Sequence, residues 1–227
     1  LGEISRNKSK SNLIASERER TPTAELFRLL RFNLEYLKKN EKNQTLLVTS
    51  TVKGEGKSFV AANLTISLAA AGEKVALLSF DLREPSLMPM FGLTEKPGIT
   101  DFIIKKGMPL NEIVQTNNDI ENLILIGAGI PMIEVGKLIL NERIETLFTE
   151  LKTQYDRIII DTAPIGKVSD GFALNSYIDS TIYVVRQGYS KNEYLKSLNN
   201  IYQHNKLRNT MVLLNDTTAG QSYGYRD

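Results

Sequence analysis

Leu46-Leu47-Val48-Thr49-Ser50-Thr51-Val52-Lys53-Gly54-Glu55-Gly56-Lys57-Ser58 decides the fold. A short apolar strand runs into a glycine-containing loop, and the loop opens directly into a helix-compatible stretch from Lys57 to Ala71 that Gly72 closes. A loop in this position can wrap successive backbone N–H groups around an anion at the positive end of a helix. Gly54 and Gly56 permit the backbone angles and the close approach such a nest requires. Lys57 would reach the outer phosphates of a nucleotide, and the Ser58 hydroxyl would ligate magnesium. The full pattern opens with a glycine five residues before Gly56; here Thr51 holds that place.

Outward from this loop the chain alternates strands and helices. Strands are predicted at Val75 to Phe80, Leu123 to Ile126, Arg157 to Ile160, Thr181 to Val185 and Thr210 to Leu214. Helices are predicted at Val135 to Lys152 and Asn192 to His204, with Pro-broken loops and helical turns from residue 81 through Val114. Thr21-Pro22-Thr23 starts a helix carrying Leu26, Leu29, Leu30, Leu34 and Leu37 at helical spacing. Continuous apolar strands separated by helices predict an α/β fold with a mostly parallel sheet covered on both faces, as in P-loop NTPases. Such sheets bind ligands beyond the carboxyl ends of their strands.

Two further strands end in acids. Arg157-Ile158-Ile159-Ile160-Asp161 puts a carboxylate at the tip of a buried strand, where magnesium is the expected partner in a phosphate-loop protein and a strand-end turn is the plain structural reading. Val75-Ala76-Leu77-Leu78-Ser79-Phe80-Asp81-Leu82-Arg83 ends the same way. Asp81 could orient a metal-bound water or accept a proton from an attacking hydroxyl. Arg83 could offset phosphate charge or hold Asp81 in place, or the two could form a surface pair of little consequence.

Composition narrows the classes. The 227 residues suit one large domain, residues 21–216, preceded by a polar, flexible arm over 1–20 and followed by a flexible tail over 217–227. Net charge is +2, so no basic field for nucleic acid exists. Cysteine is absent, which excludes thiol catalysis and cysteine-based zinc sites. The longest apolar stretch, Phe59 to Ala71, contains Asn63, Thr65 and Ser67 and falls short of the ~18–20 residues of a spanning helix. The first twenty residues are largely polar and charged, so no signal peptide is expected. The chain begins at Leu1 and reads as a piece of something longer. No complete G-x-G-x-x-G occurs, since Gly127-Ala128-Gly129 is followed by Met132 where the last glycine belongs. His204 is a surface residue near a polar helix end.

The phosphate loop, the Asp81 strand and the Asp161 strand together resemble the three phosphate-site motifs of bacterial tyrosine kinases (BY-kinases), the cytoplasmic catalytic domains of capsule and exopolysaccharide co-polymerases. The resemblance runs from about Thr21 to the C-terminus and includes Leu82-Arg83-Glu84-Pro85, Pro97-Gly98-Ile99-Thr100-Asp101 and Tyr155-Asp156. It implies ATP and Mg²⁺ as cofactors. Thr51, Lys53, Gly54, Glu55, Gly56, Lys57, Ser58 and Phe59 would surround the nucleotide. Ser58, Asp81 and Asp161 would attend the metal, and Lys57, Asp81, Arg83 and Asp161 the transfer. Asn215 could contact adenine or be a turn residue. Glu25, Arg28 and Arg31 match the family's Glu-x-x-Arg-x-x-Arg signature and share roughly one helix face; the resemblance implies that they close a ring of subunits. Tyr223 and Tyr225 are the implied phosphoacceptors, each phosphate adding about −2 charge. A membrane-spanning activator region, upstream in the same chain or in a separate protein, and a phosphatase are the other implied partners. The implied location is the cytoplasmic face of the bacterial inner membrane.

Departures from the family pattern are specific. Ser79 stands where the family usually has a second aspartate, Lys53 where it tends to have proline, and Thr162-Ala163-Pro164 replaces Thr-Pro-Pro. Ile133-Glu134-Val135 occupies the place of a Pro-Asn-Pro. If the carboxylate missing at Ser79 is the one that activates tyrosine, transfer is slow or lost while nucleotide binding survives. The rivals are a nucleotide-binding assembly domain with weak or no kinase activity, and a partition- or division-type ATPase. The ATPases carry a signature lysine at the place of Val52, and Lys53 lies one position too late for it.

Overall fold

The computed structural model describes residues 1–7, 9, 11–15, 21–37, 43–132, 134–166 and 170–218. In chain order the elements are β1 (Gly2–Ser5), α1 (Pro22–Leu37), β2 (Gln44–Ser50), α2 (Lys57–Ala70), β3 (Val75–Phe80), α3 (Ile99–Ile104), β4 (Val114–Thr116), β5 (Leu123–Ile126), α4 (Val135–Ile139), α5 (Glu142–Gln154), β6 (Arg157–Thr162), α6 (Asp170–Ala173), β7 (Ser180–Arg186), α7 (Asn192–Gln203) and β8 (Thr210–Thr217). Short 3-10 turns occupy Met88–Phe91 and Leu110–Glu112. One sheet gathers all eight strands in the order β1-β8-β7-β2-β6-β3-β5-β4. Among the described residues only the β4–β5 pair is antiparallel.

The central strands carry apolar side chains on both faces, and each face has its own core. On one side Leu46, Val48, Leu77, Ile159 and Ile182 pack against α2 and α1 through Leu64, Leu68, Phe27 and Leu34. On the other, Leu47, Leu78, Ile158 and Ile160 pack against α5, α3 and α7 through Leu147, Phe148, Phe102 and Ile201. Helix α2 is apolar nearly all round because it lies between the sheet and α1, and so is buried on most of its circumference. Thr21 starts α1 as expected, its Oγ1 accepting the Ala24 N–H at 3.2 Å. No described helix is long and apolar enough to cross a membrane.

Three features depart from the sequence reading. The polar composition of residues 1–20 predicts a flexible arm, but Gly2–Ser5 forms an edge strand parallel to β8. Ile4 and Ile14 are buried, and the side chain of Asn63 on α2 accepts the Ile14 and Ala15 N–H groups at 2.7 and 3.2 Å. Two buried isoleucines and a buried amide outweigh the local polarity; residues 16–20 lie outside the described residues. The helix expected over 135–152 is two helices, because Asn141 turns the chain and caps α5 by accepting the Arg143 N–H at 3.0 Å. The short strand β4 begins at Val114, where the expected loops and turns end, and no strand is predicted there.

Candidate active site

β2, β6 and β3 are neighbours in the sheet, so the phosphate loop, Asp161 and Asp81 emerge side by side from its carboxyl edge. The loop enters α2 through Gly56, whose φ is 95°, and Gly54 has φ 93°. Both are left-handed conformations that a side chain would strain. A Cβ on Gly56 would also lie 2.0 Å from the Asn215 amide nitrogen. Thr51 is not among the positive-φ residues, which explains how it replaces the first glycine of the usual pattern. Its hydroxyl pairs with Tyr183 Oη at 2.8 Å, and burial pushes the Tyr183 phenol up to about 12, so it stays protonated beneath the loop.

Lys57 projects between the two acids. Its Nζ lies 3.3 Å from Asp81 Oδ2, 3.6 Å from Asp161 Oδ1 and 3.3 Å from Ser58 Oγ. Ser58 Oγ donates to Asp161 Oδ2 at 2.6 Å. Asp161 is 1% exposed, and its Oδ1 has no hydrogen-bond partner. Burial raises the Asp161 pKa above the ordinary carboxylate range, with Lys57 and Ser58 pulling the other way. A buried carboxylate oxygen without a hydrogen bond, beside a serine hydroxyl at a helix N-terminus, suits a hard divalent cation that takes few protein ligands and keeps water and phosphate oxygens. Among the described residues no group of three His, Asp or Glu gathers. The residues that could hold such an ion are Ser58, Asp161 and Asp81.

Asp81 Oδ1 also accepts the Glu84 N–H at 3.1 Å. Arg83 Nε donates to Asp170 Oδ2 at 2.8 Å at the start of α6. The buried Asp170 meets the guanidinium with both carboxylate oxygens, and Asp81 also acts on Arg83 electrostatically. Lys53 forms an exposed ion pair with Glu84 at 2.5 Å. Glu55 is buried, accepting the Val52 N–H at 2.8 Å and the Ser190 hydroxyl, so its carboxylate braces the loop. Phe59 meets the Phe27 ring edge-on at 5.8 Å. Asn215 donates to the Glu55 carbonyl at 3.0 Å, which commits its amide nitrogen to the loop.

A pocket of about 410 Å³ opens here, walled by Gly54, Gly56, Lys57, Ser58, Asp81 and Pro164 among others. Ser79 lies directly beside Asp161 in the β3–β6 register, fully buried, with an unpartnered hydroxyl. On α1, Glu25 and Arg28 form an ion pair, while Arg31 donates to the Ser67 carbonyl at 2.7 Å, tying α1 to α2. Leu29, Phe32 and Tyr36 are exposed on the same helix, Tyr36 to 82%. Tyr223, Tyr225 and Ile133 lie outside the described residues. Sequence reasoning missed Tyr183, Arg186, Tyr189 and Ser190, which follow or line β7; the same strand-end filter that selects Asp81 and Asp161 would have pointed to them.

Comparison with known proteins gives one consistent picture. The ParA family model, described as a NUBPL iron-transfer P-loop NTPase, matches residues 41–185. The chain is 30% identical over 187 residues to tyrosine-protein kinase YwqD of Bacillus subtilis, covering 82% of this chain and 78% of that protein. The crystal structure of the chimerical protein CapA2B2 superposes with a TM-score of 0.87 at 26% identity, over 96% of this chain and 94% of that one. The MinD cell division protein of Aquifex aeolicus superposes less fully, with a TM-score of 0.59 at 22% identity over 75% of this chain and 68% of that one, a likeness of fold alone.

Proposed function

Because the chain belongs to the bacterial tyrosine kinases within the ParA-type P-loop NTPases, we propose that it transfers the terminal phosphoryl group of ATP to tyrosines of its own C-terminal tail, Tyr223 and Tyr225, between subunits. The observation that carries this reading is the placement of Lys57 Nζ, 3.3 Å from Asp81 and 3.6 Å from Asp161, at the mouth of a left-handed glycine loop. Phosphoryl transfer asks little covalent chemistry of a protein; it asks for positioning and for positive charge where negative charge builds up. Gly54 and Gly56 give the loop the left-handed turns that would bend its backbone around the phosphates. Lys57 supplies a cation shielded from water. Ser58 and Asp161 offer a hydroxyl and a carboxylate to Mg²⁺. Bound there, Mg²⁺ would neutralise phosphate charge and orient the γ-phosphoryl group. Asp81 is the carboxylate placed to accept the tyrosine proton or to hold a water. Arg83, paired with Asp170 at the start of α6 and lining the pocket, would offset phosphate charge.

Glu25 and Arg28, with the exposed Leu29, Phe32 and Tyr36 beside them, offer a neighbour both charge and apolar surface, which supports a ring in which one copy's tail enters the next copy's site. Added phosphate charge would loosen that ring, and a phosphatase would reset it. The names CapB and EpsB among its relatives support a setting in capsule or exopolysaccharide synthesis; the cytoplasmic face of the membrane, and a membrane-spanning activator region in the same chain or a separate protein, complete the proposal.

The test is the destination of the γ-phosphate. Incubated with MgATP, the protein should carry label on Tyr223 and Tyr225 by mass spectrometry, and Lys57→Met should carry none. Label released only as free phosphate would instead identify a partition-type ATPase. One observation favours a second reading, a nucleotide-binding assembly domain with weak or no kinase activity: Ser79 places a neutral, unpartnered hydroxyl beside Asp161 where a further acid would add charge. Assembly on MgATP without any phosphotyrosine would establish that alternative.

A further inference from the structure

Three consecutive carbonyls of the phosphate loop are held from outside the loop. Tyr189 Oη donates to the Lys53 carbonyl at 2.9 Å, Arg186 Nη1 to that of Gly54 at 2.9 Å, and Asn215 Nδ2 to that of Glu55 at 3.0 Å. The peptides that follow these residues are trans. In a trans peptide the C=O and the next N–H point to opposite sides of the chain. Anchoring these carbonyls therefore aims the N–H groups of Gly54, Glu55 and Gly56 the other way. Among the described residues none of those three N–H groups finds a protein acceptor. Successive unpaired N–H groups in left-handed and turn conformations are what an anion nest consists of.

The holders are themselves braced. Arg186 Nε donates to Asp216 at 3.0 Å and its guanidinium stands 5.2 Å from the Tyr189 ring. The Ser190 hydroxyl accepts the Arg186 N–H at 2.8 Å. Asp216 has φ 59° and lies where the pairing of β1 with β8 slips by a residue; Arg6 reaches it from the far side at 2.9 Å. A bulge of this kind re-aims a side chain, and here it turns a carboxylate toward two arginines. The arginines' hydrogen bonds lower the Asp216 pKa, keeping it ionised.

We infer that Tyr189, Arg186 and Asn215 are positioning residues that preset the phosphate cradle without touching the nucleotide. This rests on reading the loop as a phosphate site. The test is calorimetric titration of the whole chain with MgADP and, separately, with magnesium pyrophosphate, which has phosphates and no nucleoside. Tyr189→Phe, which removes one hydroxyl, should weaken both ligands by the same ~5-fold, the loss of about one hydrogen bond. Arg186→Ala should weaken both by ~10-fold or more, and Arg186→Lys, which keeps a donor, should recover most of it. The Gly54 and Gly56 amide resonances of the ligand-free Tyr189→Phe protein should shift and broaden while its melting temperature holds. Unchanged affinity in both Tyr189→Phe and Arg186→Ala overturns the inference, and so does a loss seen with MgADP alone, which would place these side chains on the nucleoside. Failure of the unaltered protein to bind either ligand is a different result and removes the phosphate-site reading itself.

Discussion

At the amino ends of β2, β3 and β6 the charges are matched, whereas at the carboxyl ends of the same strands they are left open. Below the sheet, Arg157 Nε pairs with Glu73 at 2.7 Å and reaches the Gln44 side chain as well. Asp156 accepts the Lys74 N–H at 2.9 Å, and Asp179 accepts the Thr45 N–H at 2.8 Å. Above it, among the described residues, Asp161 keeps an oxygen without a hydrogen bond, Lys57 is shared between two acids at more than 3 Å, and three loop N–H groups have no acceptor. Both ends are built from the same strands and the same kinds of residue. At one end the charged side chains find partners within the fold; at the other they are arranged as a polyanion with its cation would require.

That contrast is broken most directly at Lys57. Lys57→Met should lower tyrosine phosphorylation by ~10³-fold or more, the scale of losing a principal charge-stabilising group, in a quantitative phosphotyrosine assay. A loss under tenfold would mean that Lys57 serves the fold and not the transfer.

Asp161→Asn should separate activity from stability. Phosphorylation should fall by ~10²-fold, yet the ligand-free protein should melt higher. The sign follows from burial, which raises the folded-state pKa above the ordinary value of 3.8. Below that value both states are protonated and no penalty exists; above the folded pKa the native state bears the whole cost of a buried charge. The gain in melting temperature, about 2–4 °C per kcal/mol for a domain of this size, should therefore be larger at pH 8 than at pH 5 and fade as the pH falls below the ordinary value of 3.8. A lower melting temperature at pH 8 would show that the Lys57 pairing outweighs desolvation.

At the matched end the opposite should hold. Arg157→Ala breaks the pairing with Glu73 and should cost roughly 2 kcal/mol, a drop of ~4–8 °C, while phosphorylation per folded molecule stays unchanged. Ser79→Ala is the smallest change: its hydroxyl has no partner to lose, so stability should move by under ~0.5 kcal/mol. Denaturant titration measures both.

Much of this division was legible in the sequence. Residues 46–58 announce a strand, an anion loop and a helix, and the apolar runs ending in Asp81 and Asp161 identify the strands beside it. Those signals are local, because each combines an apolar strand with residue types that chemistry restricts. What the sequence did not disclose is set by partners far along the chain. Asn215 reads as a base contact or a turn residue until the fold brings it under Gly56, 160 residues from the carbonyl it holds. Arg83 stands two residues from Asp81 in the sequence, and its pairing with Asp170, 87 residues away, has no local signal. The edge strand β1 has no periodic signal of its own; β8 supplies its hydrogen bonds and α1 and α2 its burial.

The account stands or falls on whether the open end takes up a nucleotide with its metal. Calorimetric titration of MgATP into the folded protein should show one site per chain, strongly weakened when EDTA removes the cation and abolished in Lys57→Met. Saturable binding that persists undiminished in Lys57→Met, or no heat of binding to a protein whose melting curve is intact, would contradict it.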